Sequence, residues 1–354
     1  MNPIKVLTIF GTRPEAVKMA PVVRELAGRP EIESQVCVTA QHRQMLDQVL
    51  DLFGIQPHID LDLMRPGQSL AGLTARVLTH LDPVLADIQP DWILIQGDTT
   101  TVVSAALLAY YHQIKVGHVE AGLRTGDKFQ PFPEEVNRQI AGVIADLHFA
   151  PTEQSRQNLL RENIPTERIV VTGNTAIDAL HWVVKQPFDF AALNLGAGNP
   201  YSRLVLVTAH RRENFGQPLE DICLALRTLA EHYLGDVHFV YPVHLNPNVQ
   251  GPVYRALSDL PNITLLPPLD YLPLVNIMKH ATLVLTDSGG LQEEAPGLGV
   301  PTLVLRNTTE RPEGVQAGTL KLVGTDPEVI IREARRLLDD PAAHAAMAGA
   351  VNPY

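Results

Sequence analysis

Residues 4–21 read IKVLTIFGTRPEAVKMAP, and the fold follows from how that stretch divides. Its first seven residues are an unbroken apolar, β-prone run, the pattern of a strand buried on both faces of a parallel sheet rather than of one with a wet side. Gly11 permits a tight turn, Pro14 suits the first position of a helix, and Glu15 suits the helix's positive end. The amphipathic stretch EAVKMAPVVRELAG then continues as a helix. Working outward, the same alternation recurs. Strand candidates are SQVCVTA (34–40), DWILIQ (91–96), KVGHVE (115–120), LHFAP (147–151) and RIVVTG (168–173), with RQMLDQVLDLFG, SLAGLTARVLTHLDPVLADI and SAALLAYYHQ as helices between them. Residues 186–203 (QPFDFAALNLGAGNPYSR) lose periodicity and read as a loop. The alternation restarts at LVLVTAH (204–210) and runs through DVHFVYP (236–242), NITLLP (262–267), ATLVLTD (281–287), PTLVLR (301–306) and GTLKLVG (318–324). Repeated strand–helix units predict an α/β chain of two Rossmann-like doubly wound domains, 1–172 and 173–354, facing a central cleft, with ligands beyond the carboxyl ends of the strands.

The chain has 354 residues, 45% hydrophobic and 19% charged, the balance of a globular protein with a sizeable core. Its 28 Lys and Arg against 39 Asp and Glu leave a net charge of −11, which argues against nucleic acid as the main partner. Cys37 and Cys223 each sit inside an apolar run and supply neither a disulfide framework nor a Cys-based zinc site. The opening MNPIKVLTIF lacks the pattern of a secretory signal, and no apolar run reaches the ~20 residues that span a bilayer. These features predict a cytoplasmic protein with no membrane partner.

Chemistry is expected at the strand ends. Arg13 and Lys18 follow the first strand beside a helix start, where an anion would be welcome. There is no G-x-G-x-x-G fingerprint there and no G-x-x-x-x-G-K-S/T loop anywhere. Asp98, in QGDTTTVV, reads by itself first as a helix cap and only second as a working acid. Glu120 ends another strand, and Glu134, Glu135 and Arg138 open the next helix, where acids are favoured on dipole grounds alone. Each carboxylate has a structural explanation, yet three acidic loops at one sheet edge suit proton transfer and stabilisation of a developing cation. In the second half, His210, Arg211 and Arg212 follow one strand and His244 another, a set suited to phosphate oxygens. Ser288, Gly289 and Gly290 precede a helix, where backbone N–H groups can cradle a diphosphate or simply form a capped turn. Glu294 lies one turn further on, in reach of a ribose, and Arg311 sits in a later loop. Zinc motifs and a G-x-S-x-G elbow are absent from the sequence.

The segments GTRPEAVKMAP, GDTTT, HVEAGLRT, PFPEEVNR, TAHRRENFG, YPVHLNPNV, TDSGGLQEEAP and TTERPE, in this order and spacing, resemble the bacterial non-hydrolysing UDP-N-acetylglucosamine 2-epimerases from end to end. The resemblance implies a glycosyltransferase-B-like fold, a homodimer, and reversible interconversion of UDP-GlcNAc and UDP-ManNAc through elimination of UDP, with no cofactor. By motif position it implies a UDP-sugar site on Arg13, Lys18, Asp98, Glu120, His210, Leu269, Leu274, Ser288, Gly289, Gly290, Glu294 and Arg311. Asp98, Glu120, Glu134 and His210 would carry the catalysis. It implies, too, an activating substrate site on Gln41, Gln44, Gln68, Arg212 and His244. The sequence departs from the family pattern at PPLDYLPL (267–274), where relatives often carry Gln and Phe near the base. The family pattern also continues past Asn352-Pro353-Tyr354 into a last helix that packs on the first domain. Other readings of the same residues are a nucleotide-sugar glycosyltransferase, a hydrolysing epimerase, and a non-catalytic UDP-sugar sensor.

Overall fold

The computed structural model describes residues 3–40, 43–63, 65, 67–193 and 203–354. It divides into two units, Met1–Ala179 together with Tyr354, and Leu180–Pro353. In the first unit the described strands are β1 (Ile4–Phe10), β2 (Ile32–Val38), β3 (Ile59–Asp60), β4 (Trp92–Gln96), β5 (Lys115–Val119), β6 (Leu147–Ala150) and β7 (Ile169–Val171). They form a parallel sheet in the order β3-β2-β1-β4-β5-β6-β7. The second unit holds β8 (Arg203–Thr208), β9 (Val237–Pro242), β10 (Ile263–Leu266), β11 (Leu283–Thr286), β12 (Thr302–Val304) and β13 (Leu320–Leu322). These run parallel in the order β10-β9-β8-β11-β12-β13. Each sheet reverses its winding once, between β1 and β4 and between β8 and β11, which makes both units doubly wound and Rossmann-like in the manner of glycosyltransferase-B-like folds. At such a reversal the loops after the two central strands part and leave room for a ligand.

Local chemistry explains the elements. The helix Arg13–Ala27 starts on a capping box: Thr12 Oγ1 accepts from the Glu15 N–H, and Glu15 Oε2 accepts from the Thr12 N–H at 2.7 Å. The helix Leu70–Ile88 buries Leu73, Val77, Leu81 and Leu85, one residue per turn on a single face. Each such side chain contributes about 1.5–3 kcal/mol by leaving water. Together with Leu7, Ile9, Ile93 and Ile95 from β1 and β4 they form the first core. The second core packs Leu219, Ile222, Leu226 and Leu229 of the helix Gln217–His232 against Val205, Val207, Phe239 and Leu285.

The structure differs from the sequence pattern at the edges. The two-residue β3 is too short to give a periodic signal, and it forms because Cys37 and Val38 of β2 pair with Ile59 and Asp60. The helix expected from Ser104 begins at Thr100, since Thr99 caps it by accepting from the Val102 N–H. Within 186–203, Phe190–Leu193 form a 3₁₀ turn and Arg203 already belongs to β8.

Candidate active site

In the first unit the loops after β1, β4 and β5 gather acids and cations. Gly11 ends β1 where no side chain fits: a Cβ there would lie 2.0 Å from Thr39 Oγ1. That close packing brings the helix Arg13–Ala27 down beside β4. Glu15 is spent on structure, accepting from the N–H groups of Gly11 and Thr12 and from the Thr99 hydroxyl at 2.7–3.0 Å. Burial raises its pKa and those hydrogen bonds oppose the rise.

Asp98 follows β4, and its side chain does not cap the next helix, because Thr99 does. Its carboxylate is instead held by Arg138, whose Nε and Nη2 donate to Oδ2 at 2.8 and 2.7 Å. Its carbonyl accepts from Asn137 Nδ2 at 2.8 Å. Burial raises the Asp98 pKa, Arg138 pulls it back, and the Glu120 charge pushes it up again. Arg138 reaches Asp98 from the helix Glu134–Ile144 and is itself backed by Glu135, which also accepts from the N–H groups of Thr125 and Gly126 at 3.1 Å. Glu120 follows β5 with φ 62°, a left-handed conformation that a non-glycine residue holds at a cost of about 1–3 kcal/mol. Lys18, Gln96 and Asn174 donate to its carboxylate, Asn174 at 3.1 Å. His118 Nε2 donates to the Gly97 carbonyl at 2.7 Å and so fixes the turn that aims Asp98. Burial lowers the His118 pKa to about 4, which keeps this imidazole neutral.

Two further expected residues stand at helix starts of the same unit. Glu134, at the helix start, has its Oε2 shielded from solvent and without a hydrogen-bond partner among the described residues. Arg13 opens the helix after β1, half-buried, with no ion-pair partner among the described residues. Gln68 accepts from Arg76, Gln44 is described only by its backbone within the helix Arg43–Phe53, and Gln41 lies outside the described residues.

In the second unit the loops after β8, β9 and β11 meet with the opposite charge outward. Asp287 follows β11, is fully buried, and its Oδ2 accepts from the His210 and Arg211 N–H groups and Asn214 Nδ2 at 2.7, 2.8 and 3.0 Å. His210 stacks on His244 with ring centroids 5.4 Å apart. His244 Nδ1 accepts from the Asn246 N–H, which leaves Nε2 as the N–H donor of that ring. Over Gly289 lie two guanidinium groups: a Cβ there would come within 2.9 Å of Arg311 Nη1 and 3.3 Å of Arg211 Nη2. Arg311 is 9% exposed and anchored by Glu293 and Glu310. Burial pushes the Glu310 pKa up, but Arg311 and Arg306 outweigh it and bring it to about 2.

Of the expected cradle, the Ser288 N–H is already given to Thr286 Oγ1 at 2.9 Å, whereas the N–H groups of Gly289 and Gly290 have no partner among the described residues. Glu294 accepts from the Tyr271 hydroxyl at 3.3 Å, and Leu274 is buried on the helix that Tyr271 begins, Tyr271–His280, with Leu269 half-buried just before it. Arg212 is exposed in the 3₁₀ turn Arg212–Asn214. The pattern of strand-end residues missed four groups: Gln96 and Asn174 around Glu120, Glu293 behind Arg311, and Asp287 behind His210. Asn174 and Asp287 each stand just past a strand, which is the signal that would have found them. Among the described residues no three His, Cys, Asp or Glu side chains cluster as metal ligands, and no helix is long and apolar enough to cross a membrane.

The family model described as UDP-N-acetylglucosamine 2-epimerase matches residues 24–354. The chain is 57% identical to a UDP-N-acetylglucosamine 2-epimerase of Yersinia pestis and 56% identical to that of Salmonella typhimurium, in each case over 99% of this chain and 95% of the other. Its structure is similar to the crystal structure of UDP-GlcNAc 2-epimerase from Neisseria meningitidis bound to UDP-GlcNAc, with a TM-score of 0.91 and 49% identity over 99% of this chain and 96% of that one.

Proposed function

The chain belongs to the UDP-N-acetylglucosamine 2-epimerase family, and from that premise we propose that it interconverts UDP-GlcNAc and UDP-ManNAc without releasing free sugar. The observation that carries this reading is the pair Asp98 and Glu120, partly buried beyond adjacent strands and each flanked by a cation. The hydrogen on C2 of the sugar is a poor acid because no carbonyl adjoins it through C1. Breaking the anomeric C–O bond gives C1 cationic character, and the C2 hydrogen then becomes acidic. In the proposed step a carboxylate takes the C2 proton, the C–H electron pair becomes the C1–C2 π bond, and the C1–O pair leaves with UDP. The product is 2-acetamidoglucal. Return of a proton to the opposite face of C2, with UDP oxygen re-forming its bond to C1, gives the epimer.

Residues 1–172 supply the acids in this reading: Asp98, Glu120 and Glu134 face the sugar, where carboxylates stabilise positive charge and move the proton. Residues 173–354 hold UDP, with His210, Arg311 and the Gly289 and Gly290 N–H groups at the diphosphate and Leu269, Leu274 and Glu294 at the nucleoside. Arg13 and Lys18 add positive charge from the first unit. A second substrate molecule binds as activator at Gln41, Gln44, Gln68, Arg212 and His244. The chain works as a homodimer, and one surface of the first unit supports this: Tyr110, Val136, Ile140 and Val143 are exposed on the helices Thr100–Tyr111 and Glu134–Ile144, beside a cavity of about 540 Å³. Cys37 and Cys223, buried and free, suit a reducing cytoplasm.

The test is a proton NMR time course of UDP-GlcNAc with the protein in D2O. Deuterium enters C2 and UDP-ManNAc accumulates with no acceptor present. Accumulation of free ManNAc with UDP would assign a hydrolysing epimerase instead, and sugar transfer only when an acceptor is added would assign a transferase.

A further inference from the structure

His210 and Asp287 form a pair that the UDP-binding reading leaves unexplained. Asp287 has no solvent-accessible surface, and its two oxygens are used unequally. Oδ2 takes three N–H donors from the loop after β8. Oδ1 has no hydrogen-bond partner among the described residues and lies 3.5 Å from His210 Nδ1. A buried carboxylate oxygen without a donor is costly, so a proton on the facing imidazole nitrogen is favoured. The same carboxylate fixes the backbone of His210 and Arg211, so the ring is aimed by the group that would charge it. The ring is 38% exposed at the side chain, which leaves it open to an incoming anion.

The other acids described nearby are engaged elsewhere: Glu293 and Glu310 pair with Arg311, and Glu213 pairs with Arg306. His244 stacks flat on the ring, Arg211 is the next residue, and Arg311 lies with Arg211 over Gly289, two residues beyond Asp287. Those neighbours would drive a proton off an imidazole, and Asp287 is the anion that the described contacts set against them.

We infer that Asp287 is a positioning residue that holds His210 as an imidazolium, with Nδ1–H directed at Asp287 and Nε2–H presented to a phosphate oxygen of the nucleotide. The inference rests on the UDP-binding role proposed for His210, and it has a consequence that role alone lacks. UDP binding should weaken as pH rises through the His210 pKa, and removing the Asp287 charge should move that fall to lower pH.

Two measurements decide it. The first follows the His210 ring by NMR with labelled histidine in the unaltered protein, assigned with His210→Gln. Titration above the ~6.5 of free imidazole is expected, and titration below it overturns the inference whether or not UDP binds. The second measures the UDP Kd of the protein and of Asp287→Asn from pH 5.5 to 8.5. The variant should bind about tenfold more weakly near pH 7.5 and recover towards the parent at pH 5.5. A loss equal at every pH marks a merely structural Asp287, and no loss at any pH removes it from UDP binding; either sinks the inference. If the unaltered protein binds no UDP at any pH, the UDP-binding reading fails, and the first measurement still decides the state of His210.

Discussion

The two switch points share a backbone plan and differ in the sign of the charge they offer. Beyond β4 and β5 of the first unit, the groups are carboxylates backed by cations: Asp98 by Arg138, Glu120 by Lys18. Beyond β8 and β12 of the second unit, they are His210, Arg211 and Arg311, backed by the buried acids Asp287 and Glu293. The topology decides where a ligand is met, and in the pairs Asp98–Arg138, His210–Asp287 and Arg311–Glu293 the less buried member sets the charge that is offered. An acid-lined end suits developing positive charge and proton acceptance, and a base-lined end suits phosphate. A reaction that separates a sugar cation from a diphosphate needs both.

The largest effect should come from removing the acids. Asp98→Asn or Glu120→Gln is expected to lower turnover by about 10²–10⁴-fold, read by the NMR exchange assay, while the UDP Kd from calorimetry stays within a few-fold. A parallel loss of UDP binding would erase the division of labour between the units. Next is Arg138→Leu. It leaves Asp98 and the fully buried Glu135 without their shared cation, at a cost of about 3–5 kcal/mol, measured by urea unfolding. Glu293→Leu in the other unit should cost clearly less, because Glu310 still faces Arg311. Equal losses would mean that the two clusters are not built to different tolerances.

Acid offers a third contrast. Burial lowers the pKa of His118 and of His148 to about 4, against ~6.5 in the unfolded chain. The unfolded chain therefore takes up protons first, so stability is full above pH ~6.5 and lost as pH falls towards 4. For His118 the loss approaches roughly 3 kcal/mol, at ~1.4 kcal/mol per unit of pKa. The second unit has His238, lowered by burial as well, though only in direction. Hydrogen exchange should show β5 and β6 losing protection before β8 and β9 on acidification, and His148→Leu should flatten that dependence. Simultaneous loss in both sheets would overturn it. The smallest effect is Gly289→Ala. Its Cβ would press on the guanidinium groups of Arg211 and of Arg311, the latter shifting against its Glu293 and Glu310 anchors, so melting should fall only slightly while the UDP Kd rises several-fold.

Much of this was legible beforehand because a buried parallel strand must be a continuous apolar run, and the residue after it must start a loop at the carboxyl edge. That rule located twelve strands and put Asp98, Glu120, His210 and Gly289 at sheet edges. It could not tell a working carboxylate from a structural one. Glu15 and Glu135 look as available in the sequence as Asp98, yet they are consumed by backbone N–H groups. Asp98 looks like a helix cap until Thr99 is seen to take that place.

The chain's own order of residues thus determined two doubly wound sheets and the edges where chemistry gathers, since periodicity and turn residues act over a few positions. Only the folded molecule decided which acids are paired, because partners such as Arg138 and Asp98, or Asp287 and His210, lie 40 and 77 positions apart. Charge pairing depends on distance through space and on exclusion of water, and neither is written in the local sequence.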